Sequence, residues 1–169
     1  MIVDQTGYRL NVGIILVNTT GRVFWGKRYG HDAWQFPQGG VLVGETANQA
    51  MYRELYEEIG LERADVSILG VTKHWLKYKL PPQYLRTGST PLVIGQKQKW
   101  FLLRLRSCDQ KISLDHSETP EFDSWRWVDY DTPQQEVIFF KRQVYTQALK
   151  ELRHHLKKQG TGTAPSKEQ

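Results

Sequence analysis

The stretch Gly39-Gly40-Val41-Leu42-Val43-Gly44-Glu45-Thr46-Ala47-Asn48-Gln49-Ala50-Met51-Tyr52-Arg53-Glu54-Leu55-Tyr56-Glu57-Glu58-Ile59-Gly60-Leu61 decides how the chain is read. Thr46 and Gln49 are spaced as a capping box, which starts a helix at about Ala47. Gly60 supplies the left-handed residue that ends it after Ile59. At about 100° per residue, Met51, Leu55 and Ile59 share one face, which must pack on a sheet. Glu54, Glu57 and Glu58 share an adjoining face at i, i+3 and i+4, so their carboxylates converge. Ala47 and Ala50 fall on the same side and leave room there for ions and a phosphate chain.

This charge pattern opposes helix physics twice. Like charges at these spacings cost about 0.2–0.5 kcal/mol per pair. Acids in the last turn also face the negative end of the helix dipole, at about 0.3–1 kcal/mol each. Arg53 relieves part of this through Glu57. A hard divalent cation would reverse the sign, because carboxylate oxygens suit Mg²⁺ or Mn²⁺. Alone, the three acids fit either such a cation bank or a solvated acidic face.

Outward from the helix, Val12 to Val17 reads as a buried strand, and Val23-Phe24-Trp25 returns as a second after the Asn18-Thr19-Thr20-Gly21 turn. Trp34-Gln35-Phe36 is extended and stopped by Pro37. Val66–Val71, Trp100–Leu105 and Trp125–Val128 are further strands, and Pro81 to Pro91 is a loop. From Pro133 to about Lys158 the period is helical, with Val137, Val144, Ala148, Leu152 and Leu156 on one stripe. Strands, helix, strands, helix make an α+β chain with a mixed sheet and helices packed on it.

The chain has 169 residues, which suits one domain over 1–158 and a frayed tail over 159–169. Aromatic residues make up 12%, which excludes disorder for most of the length. No apolar run approaches the ~18 residues of a membrane span, so no membrane partner is expected. No secretory signal is readable at the N-terminus. Cys108 is the single cysteine, which excludes an intrachain disulfide and suits a reducing, cytoplasmic setting. The net charge of +5 suits a polyanionic partner or simply a solvated surface. His31, His74, His116, His154 and His155 show no metal-ligand spacing.

The order Gly39, five residues, Glu45, seven residues, Arg53-Glu54-Leu55, one residue, Glu57-Glu58, one residue, Gly60-Leu61 resembles the signature of the Nudix hydrolases. That resemblance implies an α/β/α sandwich with a mixed central sheet, and metal-dependent hydrolysis of phosphoanhydrides, with Mg²⁺ or Mn²⁺ as cofactor. It implies Glu54, Glu57 and Glu58 as metal ligands, with Gly39 letting the backbone approach the ion. Arg53 would orient the glutamates, and Glu45 would support it. Gly7-Tyr8-Arg9, Trp34 to Gly40, Ile94 to Phe101, Thr119-Pro120-Glu121-Phe122, Trp125-Arg126-Trp127 and Phe140-Lys141-Arg142 are similar to the branch that acts on RNA 5′ ends. That branch converts the 5′-triphosphate or diphosphate of RNA to a monophosphate and so triggers mRNA decay. The same motifs resemble dinucleoside polyphosphate hydrolases, which remain an alternative. Glu121 would be an additional ligand from outside the helix, and Glu58 the acid nearest the attacking water, with Glu54 and Arg53 completing the catalytic set.

Substrate contacts are expected from Arg9, Arg28 and Lys141, since cations position a polyanion. Phe140 and Tyr78 are candidates for stacking on a base, while Phe139 is open to a core role. Gln96 and Gln98 alternate with Lys97 and Lys99, so this amide pair is expected to line the site. No protein partner can be named.

Overall fold

The continuous apolar run at Val12–Val17 forms because its strand is covered on both faces. The computed structural model describes residues 1–88 and 90–160. In it that run is the end of β1 (Tyr8–Val17), which lies parallel to β7 (Gly95–Leu105) from Tyr8↔Gly95 to Val17↔Arg104. These two long strands are the spine of a mixed sheet. β2 (Val23–Arg28) meets β1 at Val17↔Val23, and also pairs β3 (Trp34–Gln35) and β8 (Phe122–Val128). β4 (Gln38–Gly40) pairs the first half of β1, with Asn11 opposite Gly40. β5 (Val66–Val71) and β6 (Leu76–Lys79) share one side of β7.

Alternation along the spine builds two cores. Val12, Ile14, Leu16, Phe101 and Leu103 face helix α1 (Ala47–Ile59), which buries Met51, Leu55 and Ile59 against them. Ile15, Val17, Trp100 and Leu102 face the opposite way, onto Val144, Tyr145, Ala148 and Leu152 of the last helix. The result is the sandwich that the order of elements implies. Thr46 and Gln49 make the reciprocal cap, and Gly60 closes α1 at φ 74°, as the residues require.

Two expectations need correction. The helical period from Pro133 to Lys158 is not one helix. It is α2 (Thr132–Glu136), a 3₁₀ turn at Phe139–Lys141, and α3 (Arg142–Gly160). Val137 and Ile138 are extended between them, and Val137 is buried in the α3-side core. Two adjacent β-branched residues favour that break, and burial of Val137 fixes it. Ala50 does not leave room for ions; it is fully buried in the α1-side core, and Ala47 packs on the same cluster. Of the expected tail 159–169, residues 161–169 lie outside the described residues. Among the described residues no helix is long and apolar enough to cross a membrane.

Candidate active site

The acids of α1 are organised by one guanidinium. Arg53 donates from Nε and Nη2 to the two oxygens of Glu45 (2.7 and 2.9 Å), a bidentate pair. Its Nη1 donates to Glu54 at 2.7 Å and Glu57 at 3.3 Å, and Nη2 also reaches the Gly40 carbonyl at 2.8 Å. Glu45 is further held by the Leu42 amide (2.9 Å). The Arg53 hydrogen bond therefore keeps the Glu45 carboxyl below its usual range. The Arg53 guanidinium is itself pushed up, first by Glu45.

Glu54 and Glu58 are buried, whereas the Glu57 side chain is 47% exposed. The expected convergence of three acids is thus two acids inward and one turned to water. Among the described residues no three His, Cys, Asp or Glu side chains close on one point as a finished cation cage. Burial pushes the Glu58 carboxyl well up, and the charges of Glu54 and Glu121 push it further. It accepts from the Gln38 amide at 3.2 Å. Burial also raises Glu54, with Arg53 opposing.

Gly39 and Gly40 make this closeness possible without a left-handed backbone, since neither has positive φ. A Cβ on Gly39 would stand 2.0 Å from the Glu54 carboxyl carbon. A Cβ on Gly40 would stand 2.2 Å from a terminal nitrogen of Arg9. Successive residues of a strand open to opposite faces. β4 is therefore a thin wall with Glu54 against one side and Arg9 against the other.

Beyond that wall lies a cavity of about 440 Å³ on the α3 face. Arg9, Arg28, Tyr78, Gln96, Phe140 and Lys141, the expected substrate contacts, all line it, together with Glu121. Sheet register brings three of them into a row: Arg9 is opposite Gln96, and Gln96 is opposite Tyr78. The expected amide pair is not kept together: Gln96 lines the cavity, whereas Gln98 is fully buried and donates to Asn11 at 2.8 Å. Phe140 sits between the rings of Tyr78 and Tyr84, at 6.0 and 5.0 Å. Phe139 is 59% exposed and stands outside the core. Tyr78 is buried and its hydroxyl is raised by burial to about 12, so its ring backs Phe140 instead of offering a free face.

Lys141 is the buried cation of the cavity. Its Nζ donates to Gln35 Oε1 (3.2 Å), and the same amide donates to Glu121 Oε1 (2.9 Å). Burial and the Arg28 charge lower its ammonium to about 8, while Glu121 and Glu58 pull it back up. Nε of Arg9 and Oε1 of Gln38 and Gln96 are buried without a hydrogen-bond partner among the described residues. Each such orphan costs about 1–3 kcal/mol, and all three belong to one cavity. Gln35, Gln38 and Tyr84 are site residues that the sequence reading missed. The two glutamines flank Phe36-Pro37, where a proline ends one strand before another begins; Tyr84 closes a short 3₁₀ turn, Pro82–Tyr84, inside the stretch read as a loop.

The donor set fits a hard divalent cation. It offers oxygen donors only, two of its carboxylates are buried, and Gly39 forms a cradle that any side chain would fill.

The sequence matches the NUDIX domain family over residues 7–148. The RNA pyrophosphohydrolase of Legionella pneumophila (strain Corby) is 70% identical over 159 residues, covering 94% of this chain and 91% of the relative. That of Vibrio atlanticus (strain LGP32) is 57% identical over 150 residues, covering 89% and 87%. Among solved structures, the E. coli dihydroneopterin triphosphate pyrophosphohydrolase superposes with a TM-score of 0.67 at 23% identity, covering 85% of this chain and 98% of its own. A C. elegans Ap4A hydrolase binary complex gives 0.65 at 19%, covering 89% and 98%. At those identities the two structures speak for the fold alone. The sequence match and the relatives agree with the acid-bearing helix and its glycine wall: the chain belongs to the Nudix hydrolase family.

Proposed function

We propose that the chain is an RNA pyrophosphohydrolase. It hydrolyses the 5′-triphosphate or diphosphate end of RNA to a 5′-monophosphate, in the cytoplasm, with Mg²⁺ or Mn²⁺. The observation that carries this reading is a cavity in which cations and aromatic rings meet Glu121. The Legionella and Vibrio relatives bear the same name and support it.

Glu54, Glu57, Glu58 and Glu121 would hold the cation, with the Gly39 backbone beside it. When bound, the ion neutralises charge on the anhydride oxygens and polarises the bond that breaks. Arg53 fixes Glu54 and keeps the bank from repelling itself apart. Glu58, buried beside Glu54 and Glu121, would be the acid nearest the attacking water and, ionised next to the bound ion, would accept its proton. Arg9, Arg28 and Lys141 grip the phosphates, and the orphaned Gln38 and Gln96 oxygens accept from the substrate's hydroxyl or amino groups. Phe140, propped by Tyr78 and Tyr84, offers its ring to a base.

The test is turnover on a 5′-triphosphorylated oligonucleotide beside diadenosine tetraphosphate, with the products weighed by mass spectrometry. The reading expects higher kcat/KM on RNA and a 5′-monophosphorylated product. A large preference for the dinucleotide would hand the site to the smaller substrate.

A further inference from the structure

The strands that wall the cavity carry a second pattern on their other face. Tyr78 and Gln96 face the cavity. By alternation Lys77 and Lys79 in β6, and Lys97 and Lys99 in β7, face away from it. Lys77 stands directly opposite Lys97 in register. Like charges so placed are destabilising. Trp75 lies among them, with the Lys97 and Lys99 ammonium groups 5.9 and 5.8 Å from its ring, and Lys77 is 5.1 Å from the Tyr8 ring. Lys97 is paired with Asp4 (2.8 Å), and Lys99 donates to the Thr72 and Lys73 carbonyls. Lys73, Lys77 and Lys79 are exposed. Among the described residues β6 pairs only β7, so it forms an outer border between the two faces.

We propose that this lysine–tryptophan face binds the RNA chain downstream of its 5′ end, once that chain has left the cavity and rounded β6. The inference rests on the reading of the cavity as an RNA 5′-end site. Lys73, Lys77 and Lys79 would meet phosphates, which positions a strand without reading its sequence. Trp75 would add a stacking surface bordered by cations. The composition speaks against a protein partner: protein interfaces are depleted in lysine and built round an apolar centre, and this face is mostly lysine.

The experiment uses the whole chain and a 20-nucleotide RNA with a 5′-hydroxyl, which offers no anhydride to cleave. Its affinity is followed by fluorescence anisotropy across a KCl series, for wild type and for Lys77→Glu combined with Lys79→Glu. We expect about tenfold weaker binding in the variant and a salt slope reduced by about 1–2. In parallel, kcat/KM is measured on triphosphorylated 3-mer and 20-mer RNA. The 20-mer to 3-mer ratio should fall by about the same factor as the affinity, because both read the same phosphate contacts. Both lysines are exposed, and a carboxylate at position 77 faces Lys97, so the fold is not at risk. A Gln pair at the two positions should fall between wild type and the Glu pair. Unchanged affinity and an unchanged ratio would overturn the proposal and leave the face to an acidic protein. If no triphosphorylated RNA is hydrolysed at all, the reading of the cavity fails, while the hydroxyl-RNA titration still decides the surface.

Discussion

The two sides of β4 solve opposite electrostatic problems. On the α1 side, Glu45, Glu54 and Glu57 are tied to Arg53, and every one of those links is made within the acid-bearing segment or to its neighbouring loop. On the α3 side, Arg9, Gln38 and Gln96 each leave a buried polar atom unmatched. One bank carries its own counter-charge; the other holds polar atoms that face the cavity without a partner among the described residues. Glu58 stands between them, and its charge is felt at Glu54 on one side and at Lys141 on the other. A site of this kind needs an ion for the acids and an anion for the cations, which is what a metal-bound polyphosphate brings together.

Removing the residue shared by both banks should have the largest effect. Glu58→Gln is expected to lower kcat by roughly 10²–10⁴-fold at saturating Mg²⁺, the range of a lost general base. The same change removes a buried charge repelled by Glu54 and Glu121, so without metal the variant should melt higher than wild type. Added Mg²⁺ should raise the melting temperature of wild type, since a ligand bound to the folded state stabilises it, and should raise that of the variant less. Retained turnover would remove Glu58 from the chemistry. A variant that melts lower without metal would show that its carboxylate is better satisfied than its surroundings imply.

The contrast between the banks is also the contrast in what could be read. The α1 bank is legible because helix spacing fixes neighbours: Thr46, Gln49, Glu54, Glu58 and Gly60 stand where their separations put them. The outward turn of Glu57 was not legible, because Arg53 chooses among three acids by geometry that spacing does not encode. The α3-side cavity draws on β1, β2, β3, β4, β6, β7, the 3₁₀ turns at Pro82–Tyr84 and Phe139–Lys141, and the loops between them. Arg9, Gln96 and Tyr78 become neighbours only through strand register, and nothing local announces that register. Phe140 and Lys141 were recognised as residues but set on a helix that Val137 and Ile138 interrupt. That interruption belongs to tertiary burial, which overrides a helical period.

A smaller effect should follow from loosening the self-sufficient bank. Arg53→Lys keeps the charge but cannot make the planar bidentate pair with Glu45 while also reaching Glu54 and the Gly40 carbonyl. We expect a loss of about 10–100-fold in activity or metal affinity, the usual range for a residue that orients ligands. Stability should fall by about 1–3 kcal/mol, the cost of leaving partly buried acceptors unmatched. Mg²⁺ titration of kcat separates the two causes: a shifted midpoint with the plateau restored marks ligand orientation, and a lowered plateau marks the chemistry itself. A variant indistinguishable from wild type would mean that the acids hold their places without the fork.

The smallest effect tests the bank that waits for an anion. Lys141 keeps its proton below about 8, because burial and Arg28 hold its ammonium down from its ordinary value of 10.5. If the protonated form grips phosphate, then at pH 9 only about a tenth of the free enzyme is competent, and KM for triphosphorylated RNA should rise about tenfold between pH 7 and 9. Binding in that interval should take up a proton, measurable by calorimetry in buffers of different ionisation enthalpy. Stability moves the other way. The folded chain releases this proton before the unfolded one does, so Lys141 makes the protein more stable as pH rises from about 8 toward 10.5. Lys141→Arg stays charged throughout and should flatten both trends. If the arginine variant keeps the wild-type rise in KM, the titrating group is not Lys141, and the grip on the anion would fall to the other cations of the cavity, Arg9 and Arg28.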